Sequence, residues 1–156
     1  MLTRRIAPLV SLAILAAALP CGRAQDFGPL NGTWEGELKS MSLDADAPRS
    51  PSWRRIEIQD TQARVFYRTK DDQVREVMPG KFRIERHLTN AVVFAMNSGR
   101  DNEGLWVETW VFAITQKDRN TLVANFGRVV NNNNLPLSVA HSKFTQSALG
   151  ELQRKP

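Results

Sequence analysis

The chain has 156 residues, a single cysteine and a formal net charge of +5. Its length suits one domain with one hydrophobic core. Removal of the first 24 residues, which resemble a leader, takes away three arginines and no acidic residue, so the net charge falls to about +2. A nearly balanced chain of this kind gives no reason to expect a nucleic-acid partner.

The N-terminus is organised like a secretory signal peptide. Two arginines precede an uncharged apolar run over residues 6–19, and small residues follow it up to Ala24. The run is shorter than the about 20 residues that cross a bilayer, so we expect no membrane span. We therefore predict a signal peptide over residues 1–24 and an exported domain over 25–156, either periplasmic or secreted.

Cys21 leaves a second processing route open. A lipoprotein signal also ends at a cysteine, which then receives lipid. Here Pro20 directly precedes the cysteine and the preferred leucine lies one position too late, so we favour cleavage after Ala24. The mature chain then has no cysteine, and in an oxidising compartment its stability must come from buried apolar surface without disulfides.

Beyond the leader, apolar and polar residues alternate with period two, which is typical of strands with one wet face. Turn residues such as Asp60-Thr61 and Pro79-Gly80 separate the alternating segments. The pattern predicts strands over residues 33–39, 53–59, 62–68, 74–78, 81–86, 91–96, 105–116, 121–130 and near 143–149.

Some segments carry more specific expectations. Residues 91–96 are apolar on both faces and predict a more buried strand. Residues 97–104 read as a polar loop, and the four asparagines 131–134 read as a flexible loop or turn. Residues 145–154 are compatible with a helical turn instead of a strand end. The polar tail 151–156 is expected to fray.

Together these segments predict an all-β protein with a single antiparallel up-and-down β-barrel of about eight strands. Barrel closure removes the exposed sheet edges that an open sheet would leave. A two-sheet β-sandwich is the alternative. The barrel is favoured because the connections read as sequential hairpins with few long crossovers.

The segment L-N-G-T-W-E-G over residues 30–36 contains a G-x-W motif, Gly32 and Trp34. It resembles the first strand of lipocalin-like proteins, the calycin group that includes avidin-like and fatty-acid-binding barrels. The resemblance implies that Trp34 plugs one end of a barrel and that a late arginine, Arg154 or Arg128, packs across it. The chain lacks a T-D-Y-like triplet, so the resemblance concerns shape and does not define an activity.

Candidate site residues concentrate in the segment W-V-E-T-W-V-F over residues 106–112. Its alternate residues share one strand face. If that face lines the barrel, Glu108 is a carboxylate among aromatic rings and needs a partner, for which Arg128 on the next strand is suited. Tyr67 is a further candidate for the interior wall. The predicted small-ligand site comprises Trp106, Glu108, Trp110, Phe112, Arg128 and Tyr67.

Different interpretations of these residues remain open. Glu108 could instead face solvent or form a structural ion pair, with Trp106 and Trp110 covering the outer surface. The protein would then be an interaction or envelope-structural module with a filled barrel, its contacts carried by loops 97–104 and 131–134. An enzyme would need Glu108 as general base beside a second titratable group in a pocket.

No cofactor or metal is predicted. His87 and His141 are far apart, and neither has another histidine or a cysteine at metal-ligand spacing. The sequence has no glycine-rich phosphate loop and no G-x-S-x-G elbow. The favoured function is an exported module that binds a small apolar molecule inside the barrel.

Overall fold

The computed structural model describes residues 30–41, 51–102, 104–132 and 145–156. Within these ranges the chain forms strands and no helix. The strands are β1 (Gly32–Ser40), β2 (Ser52–Gln59), β3 (Gln62–Arg68), β4 (Val74–Val77), β5 (Arg83–His87), β6 (Asn90–Asp101), β7 (Gly104–Asp118), β8 (Thr121–Asn132) and β9 (Thr145–Lys155). Each predicted strand has a counterpart, and the all-β prediction is confirmed.

Eight of the strands close into an antiparallel barrel. Hydrogen-bonded neighbours follow the order β2-β1-β9-β8-β7-β6-β5-β3, and β2 pairs with β3 to close the ring. β4 is an extra strand that pairs with residues 65–68 of β3, whereas β5 joins β3 at Gln62. The predicted barrel is confirmed and the sandwich is wrong, because one continuous sheet returns onto itself.

Two short turns connect strands as the sequence predicts. Gln59 pairs with Gln62 across a two-residue turn whose first residue, Asp60, has a φ of 52°. In the turn after β4, Lys81 N–H donates to the Met78 carbonyl over 3.0 Å and Gly80 has a φ of 71°. That positive φ at the third position is what a type II turn requires, and glycine adopts it without steric cost.

Because side chains alternate along each strand, every second side chain points towards the barrel axis. The buried apolar set comes from all eight barrel strands, so the core is the barrel interior. Its largest fully buried members are Trp34, Phe82, Phe112, Leu38, Ile56, Ile114, Leu122, Leu152, Val65 and Val93.

One end of the barrel is sealed by Trp34. The indole is fully buried, and its Nε1 donates to the Leu30 carbonyl over 2.9 Å. The Arg154 guanidinium lies 4.2 Å from the indole ring centre and donates to the carbonyls of Asn31 and Arg119 over 2.9 and 3.1 Å. Of the two arginines that the resemblance offered, Arg154 is the one that covers the tryptophan. We call this the Trp34 end and the opposite end, where β6 meets β7, the Glu108 end.

The C-terminal expectations are wrong. Residues 145–154 form neither a helical turn nor a frayed tail, since β9 runs to Lys155. β9 pairs with β8 on one side and with β1 on the other, which satisfies its backbone on both edges. Its inward residue Leu152 is fully buried, whereas its neighbours Glu151 and Gln153 are polar and point outward. Because most residues of this segment are polar, the sequence did not indicate a strand here.

Three predicted segments in the middle of the chain also differ. Residues 97–101 belong to β6, and β7 begins at Gly104, so the predicted polar loop is a tight hairpin end. Asn131 and Asn132 extend β8 and are not loop residues. Residues 91–96 are buried on one face only, because Val92, Phe94 and Met96 point outward. The predicted signal peptide over residues 1–24, which includes Cys21, lies outside the described residues, as do His141 and residues 133–134.

Among the residues that the structure describes, there is no helix with the length and apolar character needed to cross a membrane.

The seam between β1 and β9 depends on two glycines. A Cβ at Gly150 would collide with the carbonyl oxygen of Glu37, and one at Gly36 would collide with that of Glu151. The two backbones therefore approach more closely than a side chain on either glycine would allow.

We expect Gly150→Ala to lower the free energy of unfolding by about 1–3 kcal/mol, because the backbone oxygen it meets has no freedom to move aside. Gly127→Ala on β8 is the matched control, since a Cβ there has no neighbour within 4 Å. It should change stability by less than about 0.5 kcal/mol. Urea unfolding of both variants measures this, and equal losses would contradict the close seam.

Candidate functional site

β7 carries four of the predicted site residues on the inner face of the barrel. Exposure increases along the strand towards the Glu108 end, from 0% at Phe112 to 8% at Trp110 and to 19% for the Glu108 side chain. Trp106, the last of the four, is half-buried. The interpretation in which the two tryptophans cover the outer surface is therefore wrong.

Glu108 is the centre of a polar cluster inside the wall. The Arg128 Nε donates to Glu108 Oε1 over 2.6 Å, and the Trp110 Nε1 donates to the same oxygen over 2.8 Å. Register explains the contact, because Trp110 is directly opposite Arg128 and Glu108 is two residues further along the same face. Glu108 therefore does not face solvent. The ion pair with Arg128, which the sequence analysis gave as an alternative, is present.

An aromatic floor lies beneath this cluster. Phe112 stacks on Phe126 with ring centres 4.8 Å apart, and Trp110 lies 5.1 Å from Phe126 at a tilted angle. Phe82 adds a third neighbour, 6.4 Å from Phe112. Apolar rings on this side lower the local dielectric, which strengthens the hydrogen bonds that Glu108 accepts.

Tyr67 lies on the opposite wall and meets the site through a residue that the sequence analysis missed. Its cross-strand neighbour is Arg54 on β2. The Arg54 guanidinium reaches across the interior to within 5.4 Å of the Phe126 ring centre. The structure thus links Tyr67, Arg54 and the aromatic floor on one side with Glu108 and Arg128 on the other.

Arg54 is a buried cation. The residue is only 8% exposed. Its Nη1 donates to Ser52 Oγ and, over 2.9 Å, to the Trp53 carbonyl, both neutral acceptors. Its Nε is buried and has no hydrogen-bond partner among the described residues. Burial lowers the pKa of Arg54 to about 10, and the electrostatic influence of Tyr67 opposes that shift.

The sequence did contain a signal for Arg54. Ile56 and Ile58 are inward residues of β2, and continuing their period by one step places Arg54 on the same face. This inward position was not predicted, because charged residues are expected to face water.

Trp106 closes the wall near the hairpin at the Glu108 end. It is paired with Gly99 of β6, and a Cβ at Gly99 would collide with the indole ring. The ring therefore occupies the space that the glycine leaves. A cleft of about 340 Å³ lies beside it, lined by Ser98, Gly99, Leu105, Trp106, Val107 and Asn131.

The cation in contact with Glu108 is the guanidinium of Arg128, whose Nε lies 2.6 Å from the Glu108 Oε1. His87 is exposed at the end of β5. Within the described ranges no group of three or more histidine, cysteine, aspartate or glutamate side chains is arranged to hold a metal ion.

Comparisons with protein-family models, with curated proteins and with solved structures gave no match. The site must therefore be interpreted from its own geometry, which consists of an aromatic floor, one ion pair and one buried guanidinium at the Glu108 end.

A double-mutant cycle tests how strongly Glu108 and Arg128 are coupled. We expect Glu108→Gln and Arg128→Met to show a coupling free energy of about 1–3 kcal/mol in urea unfolding, because the pair is more than three-quarters buried and charge-assisted.

Lys117 and Glu151 supply the control cycle. Their ion pair is also short, 2.7 Å, but both side chains are about half exposed. Exposed pairs contribute about 0.2–1 kcal/mol. A Glu108–Arg128 coupling no larger than the control would show that the inner pair is as well solvated as the outer one.

Proposed function

We propose that this protein is an exported binding module that holds a small, largely apolar molecule at the Glu108 end of its barrel. The observation that carries the proposal is the graded inner wall. It passes from the fully buried Phe112, through Trp110, to the partly exposed Glu108–Arg128 pair. Small-molecule sites combine apolar and aromatic walls with a few fixed polar groups in this way.

The ion pair supports a binding role because it is a poor device for stability alone. Removing two charges from water costs several kcal/mol, which their attraction often only offsets. The Trp110 indole holds one Glu108 oxygen in place, and the Arg128 guanidinium lies 5.7 Å from the Trp110 ring centre. Such a cluster offers a ligand fixed polar groups beside an aromatic surface.

The sealed end of the barrel supports the same proposal. Trp34 and Arg154 cover the Trp34 end in the manner that the resemblance to lipocalin-like proteins implies. A ligand would therefore enter from the Glu108 end. The proposed membership of the lipocalin-like group depends on the G-x-W motif, the late arginine and the closed eight-strand barrel. The proposed export depends on the leader-like residues 1–24.

Binding can be tested with the neutral apolar dye N-phenyl-1-naphthylamine, whose fluorescence rises in apolar surroundings. We expect saturable enhancement with the wild type. Asn97 lies on the inner wall directly opposite Glu108, so Asn97→Trp should fill the site and weaken binding at least about fivefold.

Met96→Trp is the matched control, because Met96 is the preceding residue on the same strand and is exposed on the outer wall. It should leave dye binding unchanged. No saturable binding by the wild type, or equal weakening by both variants, would contradict a ligand site inside the barrel.

A specific observation also favours a second candidate, an interaction module. The outer side of β6, β7 and β8 has no charged residue between Arg100 and Lys117, which lie at its two ends. We call it the uncharged face. Its large apolar side chains are 37–67% exposed: Val92, Phe94, Met96, Leu105, Val107 and Val129.

The opposite outer wall shows how unusual this face is. On β1, β2 and β3, Arg55 pairs with Glu35 over 2.6 Å and Arg64 pairs with Glu57 over 3.1 Å. The two large rings there are both covered by guanidinium groups, Phe66 by Arg55 and Arg64 and Trp53 by Arg55 and Arg68. Exposed rings are thus shielded on one wall and left open on the other.

The occupant we propose for the uncharged face is a second copy of this chain. Two uncharged faces can pack without leaving an unpaired charge between them. Three strands of about 12 residues cover on the order of 40 by 14 Å, or about 560 Å², which is about 70% of the about 800 Å² per partner that stable interfaces of standard size bury.

Sedimentation equilibrium tests this candidate. We expect a concentration-dependent dimer that Phe94→Glu weakens at least about tenfold, since the new carboxylate would be desolvated at the interface. Gln62→Glu on the charged wall should have no effect. A wild type that stays monomeric at its highest soluble concentration would contradict self-association through this face.

A further inference from the structure

The half of β6 nearest the Glu108 end is paired on one side only. β5 pairs with residues 90–94 of β6, and no strand in the described part of the chain pairs with residues 95–101 on that side. β4 pairs with β3 and not with β6. Residues 95–101 are therefore held in the sheet through β7. We call this side of residues 95–101 the open edge.

Backbone hydrogen-bonding groups face the open edge. The Gln116 N–H on β7 donates to the carbonyl of Thr89, the residue before β6, over 2.7 Å. Because successive residues of an antiparallel strand bond to opposite sides, the odd-numbered residues of β6 bond to β7. The N–H and C=O groups of Met96, Ser98 and Arg100 therefore face the side that β5 leaves uncovered. Such an exposed row is a template for one more strand.

We propose that the open edge binds an extended peptide segment of a partner protein, which has a large apolar side chain opposite Ser98 and acidic side chains at its ends. This inference goes beyond the proposed function, because it requires neither a ligand at the inner wall nor a second copy on the uncharged face.

A cleft beside the open edge supports an apolar side chain at the centre of the peptide. Ser98, Val107 and Asn131 lie directly opposite one another on β6, β7 and β8. Together with the exposed Leu105 they line the cleft of about 340 Å³. Ser98 has a small side chain, so a larger one that an added strand places opposite it can extend over it towards Val107. In strand addition the main chain supplies affinity, and pockets of this kind supply specificity.

The charges at the two ends of the open edge favour an acidic partner. Arg100 lies at one end, and Lys81 and Arg83 lie at the other, where β5 begins opposite Phe94. All three cations are exposed, and no ion pair joins them to a carboxylate among the described residues. Asp101 follows Arg100 but points to the other face of the strand. On the outer side of β2 and β3, by contrast, each arginine has a carboxylate partner.

The test uses the synthetic peptide acetyl-E-T-V-T-F-T-V-T-E-amide and measures its binding to the full chain by isothermal titration calorimetry at pH 7. We expect saturable binding of one peptide per chain. Methylation of the phenylalanine backbone nitrogen should weaken binding at least about tenfold, because that N–H would donate to β6. Methylation of the next threonine nitrogen is the matched control. That N–H points away from β6, so binding should change less than about threefold.

Variants of β6 test the protein side. Ser98→Pro removes the N–H that faces the open edge and keeps the hydrogen bonds to β7, so the barrel should stay folded and the peptide should bind at least about tenfold more weakly. Ser98→Ala keeps that N–H and should bind like the wild type. Arg100→Gln should weaken binding at least about twofold at low ionic strength and less at high ionic strength. Circular dichroism checks the fold, and if Ser98→Pro unfolds, the two methylated peptides still decide.

The outcomes separate this inference from the proposed function. No binding of the peptide by the wild type, or equal weakening by the two methylated peptides, would overturn the inference and leave dye binding at the inner wall untouched. Failure of the dye to bind, with the peptide still bound, would contradict the proposed ligand site alone. A wild-type dimer that excludes the peptide, together with a monomeric Ser98→Pro, would show that a second copy occupies the open edge and would overturn its assignment to a partner peptide.

Discussion

The pairing of β9 with β1 is the contact on which the rest of the structure depends. It joins the last described strand to the first and so turns an open meander into a closed barrel. It also carries Arg154 onto the face of Trp34, where a cation over an aromatic ring and two backbone carbonyls seal one end. Buried polar side chains lie towards both ends of the interior, Gln116 and Thr121 near the Trp34 end and Arg54 towards the Glu108 end. Gly36 and Gly150 lie where the backbones of β1 and β9 come closest, and a side chain at either position would prevent this approach.

Closure also decides which side chains can form a site. In an antiparallel barrel, residues two apart on one strand and directly opposite on the next share a wall. That rule places Glu108 within reach of Arg128 and Arg54 within reach of Tyr67. Arg54 is long enough to cross the interior and reaches the Phe126 ring, which in turn contacts Trp110 beside Glu108. The candidate site therefore depends on tertiary closure as much as on either hairpin.

The sequence predicts those parts of the molecule that local periodicity controls. β3 begins and ends at the predicted residues, because its alternation is bounded by clear turn residues on both sides. The inward face of β7 and the Glu108–Arg128 contact follow from the same period. β9 could not be predicted as far as Lys155, because its stability comes from two neighbouring strands distant in sequence. Arg54 was missed for a related reason. Whether a guanidinium lies in water or across a barrel depends on what the opposite wall presents, and one strand does not show that.

Arginine side chains cover aromatic rings both on the outer wall of β1, β2 and β3 and inside the barrel, but only the outer arginines are paired with carboxylates. On the β1–β2–β3 wall, Arg55 and Arg64 cover Phe66 and are themselves paired with carboxylates, so every guanidinium there has an anion. Inside the barrel, Arg54 covers Phe126 in the same way but without a carboxylate. A buried apolar residue at position 54 would avoid the desolvation that lowers the pKa of this arginine. The charge at position 54 therefore opposes folding through its desolvation, and its packing over Phe126 and its hydrogen bonds to Ser52 and Trp53 offset part of that penalty.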